Sequence, residues 1–145
     1  MPQQTRLDLE REALQRYFPG FRIQDPFGPK RGVIGRLKSN TGTWYTIWLA
    51  LSDFPNGAPQ MYIIEPRELK AYDGRLLSSI VNNRPMHLLT PDANGHPQIC
   101  HYNGQFWLPK VSLYKILMKA RIWLEAYEQH LRHGRPIDTY LSHME

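Results

Sequence analysis

Cysteine is almost missing from this chain of 145 residues, and Cys100 is the only one. A single thiol cannot close an internal disulfide, and without a Cys-x-x-Cys pair the common zinc frameworks lack their starting point. Long apolar runs are missing as well. No stretch approaches the roughly 18 consecutive apolar residues of a membrane helix. The opening MPQQTRLDLERE is polar and soon acidic, unlike a secretory signal. One thiol and no signal point to a reducing, cytoplasmic setting with no membrane partner. There is no internal repeat and no low-complexity segment, so residues 1–145 read as one domain with enough chain to bury a core.

Acidic residues are the scarcer charge: 18 Lys and Arg stand against 13 Asp and Glu, a net charge of +5. Much of the excess lies in Lys110, Lys115, Lys119, Arg121, Arg132 and Arg135, opposed only by Glu125 and Glu128. Such a face is solvated, steers an acidic protein partner or meets phosphates. No recognised nucleic-acid motif accompanies the charge, so nucleic acid is not the expected partner.

What is present alternates between two periodicities. Thr5 with Asp8 reads as a helix start, and Leu9, Ala13 and Tyr17, with Leu14 and Phe18 beside them, read as its apolar side until Pro19 and Gly20. Residues 21–26, 32–39 and 43–52 are rich in aromatic and β-branched residues and read as strands, with Asn40-Thr41-Gly42 turning the second into the third. Tyr45, Ile47, Leu49 and Leu51 share one strand face, while Trp44 and Trp48 share the other and are expected to be core. Residues 61–64 make a fourth strand. Residues 66–86 carry a weak pattern, with a short helix across Arg75 to Val81 as its one candidate. The Pro-, Gly- and Asn-rich stretch around Cys100 reads as loop. Beyond Pro109, Leu113, Ile116, Leu117, Ala120, Leu124, Tyr127 and Leu131 fall on one helical face, ended by Gly134 and Pro136. The plan is α+β: an N-terminal helix, a four-stranded antiparallel meander, a cysteine-bearing loop and a C-terminal helix.

The lone thiol has three readings on residue chemistry. It is a buried small hydrophobe, a nucleophile, or a ligand in a zinc site with His87, His96 and His101. The spacing of that quartet matches no common zinc framework, so neither a metal nor a cofactor is expected.

Four short segments carry a resemblance. FPNGAP at residues 54–59 resembles the Tyr-Pro-Phe-x-Pro-Pro turn of ubiquitin-conjugating enzymes, with Phe54 for the tyrosine and Pro55 and Pro59 in place. TPDANGHPQIC at residues 90–100 is similar to that family's His-Pro-Asn segment leading to the catalytic cysteine: Pro91 and Ile99 keep step with Cys100, while Thr90 and Asp92 replace the histidine and asparagine. Trp107-Leu108-Pro109 resembles its Trp-x-Pro. WLEAYEQHLRHG at residues 123–134 is similar to the ending of bacterial members found in anti-phage operons of the cyclic-oligonucleotide (CBASS) type. The likeness spans roughly residues 5–131.

The resemblance implies a stand-alone conjugating domain in which Cys100 takes the C-terminus of a protein cargo as a thioester and passes it to an amine. The implied cargo is a cyclic-oligonucleotide synthase, with a separate activating enzyme as an open requirement. His96 and His101 flank Cys100 and would favour its thiolate if protonated. Aminolysis needs an oxyanion donor and a proton acceptor. Asp92, where the family has asparagine, would repel an oxyanion, so it is expected either to accept the proton or to be a turn residue, with Asn94 or a backbone N–H as the donor. Residues 66–86 are an insertion relative to that family. Three other readings stay open: a cysteine hydrolase, a non-catalytic adaptor of the same fold and a basic binding module.

Overall fold

The computed structural model describes residues 5–25, 28, 30–101 and 107–141. Thr5 accepts from Asp8 N–H while the Asp8 carboxylate accepts from Thr5 N–H, a reciprocal cap that starts helix α1, Arg6–Tyr17. Strands β1 (Arg22–Gln24), β2 (Gly32–Lys38), β3 (Trp44–Ala50), β4 (Gln60–Glu65) and β5 (Gln98–Ile99) pair in chain order, each antiparallel to the last. Helix α2 (Leu113–His133) follows, capped by Ser112 and ended by Gly134 at φ 76°, and the short helix α3 (Asp138–Leu141) closes the described chain. The α+β plan holds, with five strands rather than four. The fifth lies inside the stretch read as loop, because two paired residues carry no period.

One face of the sheet is core: Val33 and Leu37, Tyr45, Ile47 and Leu49, Met61 and Ile63, and Ile99 are all buried. The α2 residues Leu113, Ile116, Leu117, Ala120, Trp123, Leu124 and Tyr127 are buried in the same cluster. Each such aliphatic residue contributes about 1.5–3 kcal/mol by leaving water. Gly35 sits where a Cβ would lie 2.3 Å from the Phe21 ring, so the missing side chain admits that ring to the core.

The sequence pattern misplaces several residues. Leu9, Tyr17 and Leu131 are exposed, and the buried positions of α1 are Glu10 and Leu14. The Trp44 and Trp48 face is not core: Trp44 is 48% exposed. The guanidinium of Arg36 and the ammonium of Lys38 lie 4.6 and 5.6 Å from the Trp44 ring centroid. Trp48 is half-buried, its ring lying where a Cβ of Gly32 would be. The expected helix across Arg75 to Val81 is a single 3-10 turn, Leu77–Ser79.

Polar clamps set how α2 lies. Glu128 accepts from Tyr45 Oη and Thr41 Oγ1, both at 2.8 Å, and Glu125 accepts from Asn40 N–H at 2.7 Å, holding the β2–β3 turn to the helix. Burial, then the Glu128 carboxylate, push the Tyr45 hydroxyl far above its ordinary range, so it stays a donor. At the other end Glu10, 5% exposed, accepts from Leu113 N–H at 2.8 Å and from Arg6 Nε at 2.8 Å. Arg6 also donates to the carbonyls of Pro109 and Val111. Glu10→Ala would leave the buried N–H that opens α2 and the Arg6 charge without their acceptor. It is expected to cost about 2–4 kcal/mol in urea denaturation, while Glu10→Gln, which keeps a carbonyl for Leu113, costs less than half of that. Equal losses in the two variants would show that the ion pair, rather than the N–H, carries the clamp.

Candidate active site around Cys100

The cysteine is delivered by a two-sided strand. On one side Ile99 pairs with Met61 and Gln98 with Tyr62 of β4, and Ile63 N–H donates to Pro97 O at 3.1 Å. On the other, Leu88 bridges Ile99, with Leu89 N–H on Gln98 O and Cys100 N–H on His87 O, both at 2.8 Å. Ile99 and Leu88 go into the core; Cys100, one residue on, is half-buried and outside any disulfide.

Residues 66–86 are neither a surface elaboration nor a separate lobe. Ala71, Leu77, Ile80 and Met86 are buried in the main core. Tyr127 Oη donates to Lys70 O at 2.6 Å, its hydroxyl pushed up to about 12 by burial and then by the Glu128 charge against the opposing pull of that bond. His130 fixes the same excursion, accepting from Tyr72 N–H at 3.0 Å on Nε2 and donating to Arg135 O at 2.7 Å from Nδ1. The excursion therefore carries residues 87–89 to the cysteine strand.

Asp92, Asn94 and His96 come together in one closed turn. Asp92 Oδ1 accepts from Asn94 N–H and His96 N–H, both at 2.9 Å, Oδ2 accepts from His96 Nδ1 at 2.7 Å, and Gly95 turns the chain at φ 81°. Partial burial works against the Asp92 carboxylate, yet the three bonds and the His96 charge together hold it below the usual range. A carboxylate so engaged closes the turn, the arrangement that the turn-aspartate reading expects. Burial, then the Asp92 charge, raise the Tyr62 hydroxyl above its ordinary range. Asn94 is exposed at the tip of this turn.

His101 corrects a second expectation. Its Nε2 is buried, and burial first, then the nearby Lys119 ammonium, pushes the ring down to about 4. A neutral His101 supplies no positive charge to the neighbouring thiol. Thr90 is exposed and donates to Asn82 Oδ1 at 3.3 Å.

Two of the sequence segments meet. Trp107 Nε1 donates to Pro55 O at 2.9 Å, and the Trp107 and Phe54 rings lie 6.3 Å apart at 60°. Arg6 stacks over Phe54 at 5.0 Å, so the turn after β3 and the chain after the cysteine are tied together and to α1. Sequence reading missed the pair of His87 and Asp138, in which Nε2 lies 2.6 Å from Oδ1. Separated by 51 residues, they share no local signal.

Among the described residues no group of three or more His, Cys, Asp and Glu can hold a metal ion, and no helix is long and apolar enough to cross a membrane. Comparisons with protein-family models, with curated proteins and with solved structures each return no match to this chain.

Two outcomes follow from this geometry. The unfolded chain protonates His101 near pH 6.5 and the folded one only near pH 4. The folded state binds fewer protons in that window, so His101's contribution is whole above pH 6.5 and is lost as pH falls to 4, on the order of 3 kcal/mol. Urea denaturation of wild type and His101→Gln should converge over that interval; parallel curves would mean that the ring titrates normally. For the turn, Asp92→Asn keeps a carbonyl for the two N–H groups and should cost under about 1 kcal/mol, while Asp92→Ala should cost about 1–3 kcal/mol by the same measurement.

Proposed function

We propose that this chain is an acyl carrier of the ubiquitin-conjugating type, taking the carboxyl terminus of a protein cargo onto Cys100 and passing it to an amine. The observation that carries the reading is the contact between the Phe54-Pro55 turn and Trp107, which joins two of the segments that resemble the family. A thiol suits the work because it attacks an activated carboxyl carbon and its thioester stays reactive toward amines. Cys100 is half-buried at the end of a paired strand and outside any disulfide.

The finer reading follows the sequence likeness. The chain acts as a stand-alone conjugating domain in bacterial anti-phage defence, its cargo a cyclic-oligonucleotide synthase with an exposed C-terminal tail. Proton transfer does not fall to Asp92, which serves the turn.

A second reading, a basic adaptor surface, draws on α2. Its two glutamates turn to the β2–β3 turn while Lys115, Arg121 and Arg132 stay exposed, leaving that face cationic. An acidic partner held this way would bind less tightly as salt rises, whatever residue stands at position 100.

Co-expression of the chain with the genes beside its own, followed by a non-reducing gel and mass spectrometry, separates the readings. Wild type should show an adduct that thiol reagents remove, Cys100→Ser a persistent oxyester and Cys100→Ala none. Absence of any adduct in all three, with partner binding intact in Cys100→Ala, would leave the adaptor.

A further inference from the structure

We propose that His87, oriented by Asp138, is the proton acceptor for an amine attacking an acyl group on Cys100. The inference rests on Cys100 being an acyl carrier and supplies a base apart from the Asp92 turn.

Position comes first. Cys100 N–H donates to His87 O, next to the bridge of Leu88 and Ile99. Residues opposed in this way have Cα atoms about 5.5 Å apart. Leu88 and Ile99 are buried, while His87 and Cys100 are half-buried. His96, the competing histidine, lies four residues back along a chain extended from Pro97 to Cys100, about 13 Å away.

Chemistry is the second step. A carboxylate oxygen only accepts, so the 2.6 Å contact places a proton on His87 Nε2. In the neutral ring, Nδ1 then carries the lone pair, and no hydrogen bond to it is recorded among the described residues. Asp138 is held in turn, its N–H donating to Pro85 O at 2.8 Å, which fastens the first residue of α3 to the turn that carries His87. The side chains are 26% and 65% exposed for His87 and Asp138, open enough for an incoming amine.

Backbone strain is a third, independent sign. His87 has φ 52°, a conformation natural to glycine or asparagine and costly for a histidine. A position that needs only its backbone would be better filled by either.

The step balances without another reactant. The amine nitrogen attacks the thioester carbonyl carbon and gives its proton to Nδ1. The C–Sγ bond then breaks, and the departing sulfur recovers that proton, leaving an amide and the free thiol.

The test uses the single thiol. Cys100 is acetylated by exchange with a small acetyl thioester, n-butylamine is added, and return of the only thiol in the chain is followed with a chromogenic thiol reagent. His87→Gly and His87→Asn suit the backbone at φ 52°, so both should keep the wild-type unfolding midpoint. Discharge should slow by at least about tenfold in both, since general bases contribute about 10²–10⁴-fold. Added imidazole should restore His87→Gly toward wild type, and Asp138→Asn should fall between. Wild-type rates in the His87 variants would overturn the proposal, as would a slowed rate that imidazole does not restore. The probe needs no cargo, so His87-dependent discharge without any cargo adduct would refute conjugation and leave the pair as the base of another acyl transfer.

Discussion

Burial of Ile99 is the constraint on which the site depends. It pairs with Met61 on one side and bridges Leu88 on the other, and its side chain is fully within the core. A side-chain period of two then decides the rest: if Ile99 goes in, Cys100 must come out. Across the bridge Leu88 is buried as well, and the bond from Cys100 N–H to His87 O sets the histidine's backbone opposite the cysteine. One aliphatic residue therefore fixes the facing of the thiol. A slip of one residue would turn the thiol into the core and Ile99 out of it, at a cost of about 1.5–3 kcal/mol.

Helix α2 makes that arrangement rigid. Its apolar side seals the sheet, while Glu128, Tyr127 and His130 bond the β2–β3 turn, Lys70 and Tyr72. The last two contacts matter most for the cysteine. They pin the excursion after β4, and that excursion supplies the second strand partner of residues 98–100. At the helix start, Glu10 and Arg6 secure the chain that arrives from the cysteine. The cysteine-bearing segment is thus held at both ends, from α2 through Tyr127 and His130 and from α1 through Glu10 and Arg6, and each of these bonds is at least partly buried, where losing one partner is costly.

Long, regular elements were legible because their signal is repeated many times. The capping box at Thr5 and Asp8, the apolar face of α2 and the hairpin at Asn40-Thr41-Gly42 each stand as expected. The failures share a cause. Glu10 is buried because two donors from distant chain meet it, and the hydrophobic pattern of α1 has no way to register that. Trp44 is exposed because Arg36 and Lys38 cover its ring, a compensation between strands. β5 is two residues long, and the contact of His87 with Asp138 joins segments that only the fold brings together. Within the candidate site, the cysteine and the turn before it could be read from local residues. The neutral state of His101 and the engagement of Asp92 depend on burial and on bonds made in three dimensions.

For the proposed conjugating function, Asp92 in place of that family's asparagine is the departure that most needs an account. In an open loop the carboxylate would oppose the charge that develops on a tetrahedral intermediate. Here three donors share it, one of them the His96 ring, so its charge is spent within the turn. The turn with His96 is thereby self-contained, and proton transfer is free to belong to a different pair. What sets His87 with Asp138 apart is its place across the ladder from the Cys100 backbone rather than along the chain. Of the two histidine–carboxylate pairs only the first is local in sequence. Their geometry separates them: one closes the turn before the cysteine, and the other ties α3 to the chain opposite it.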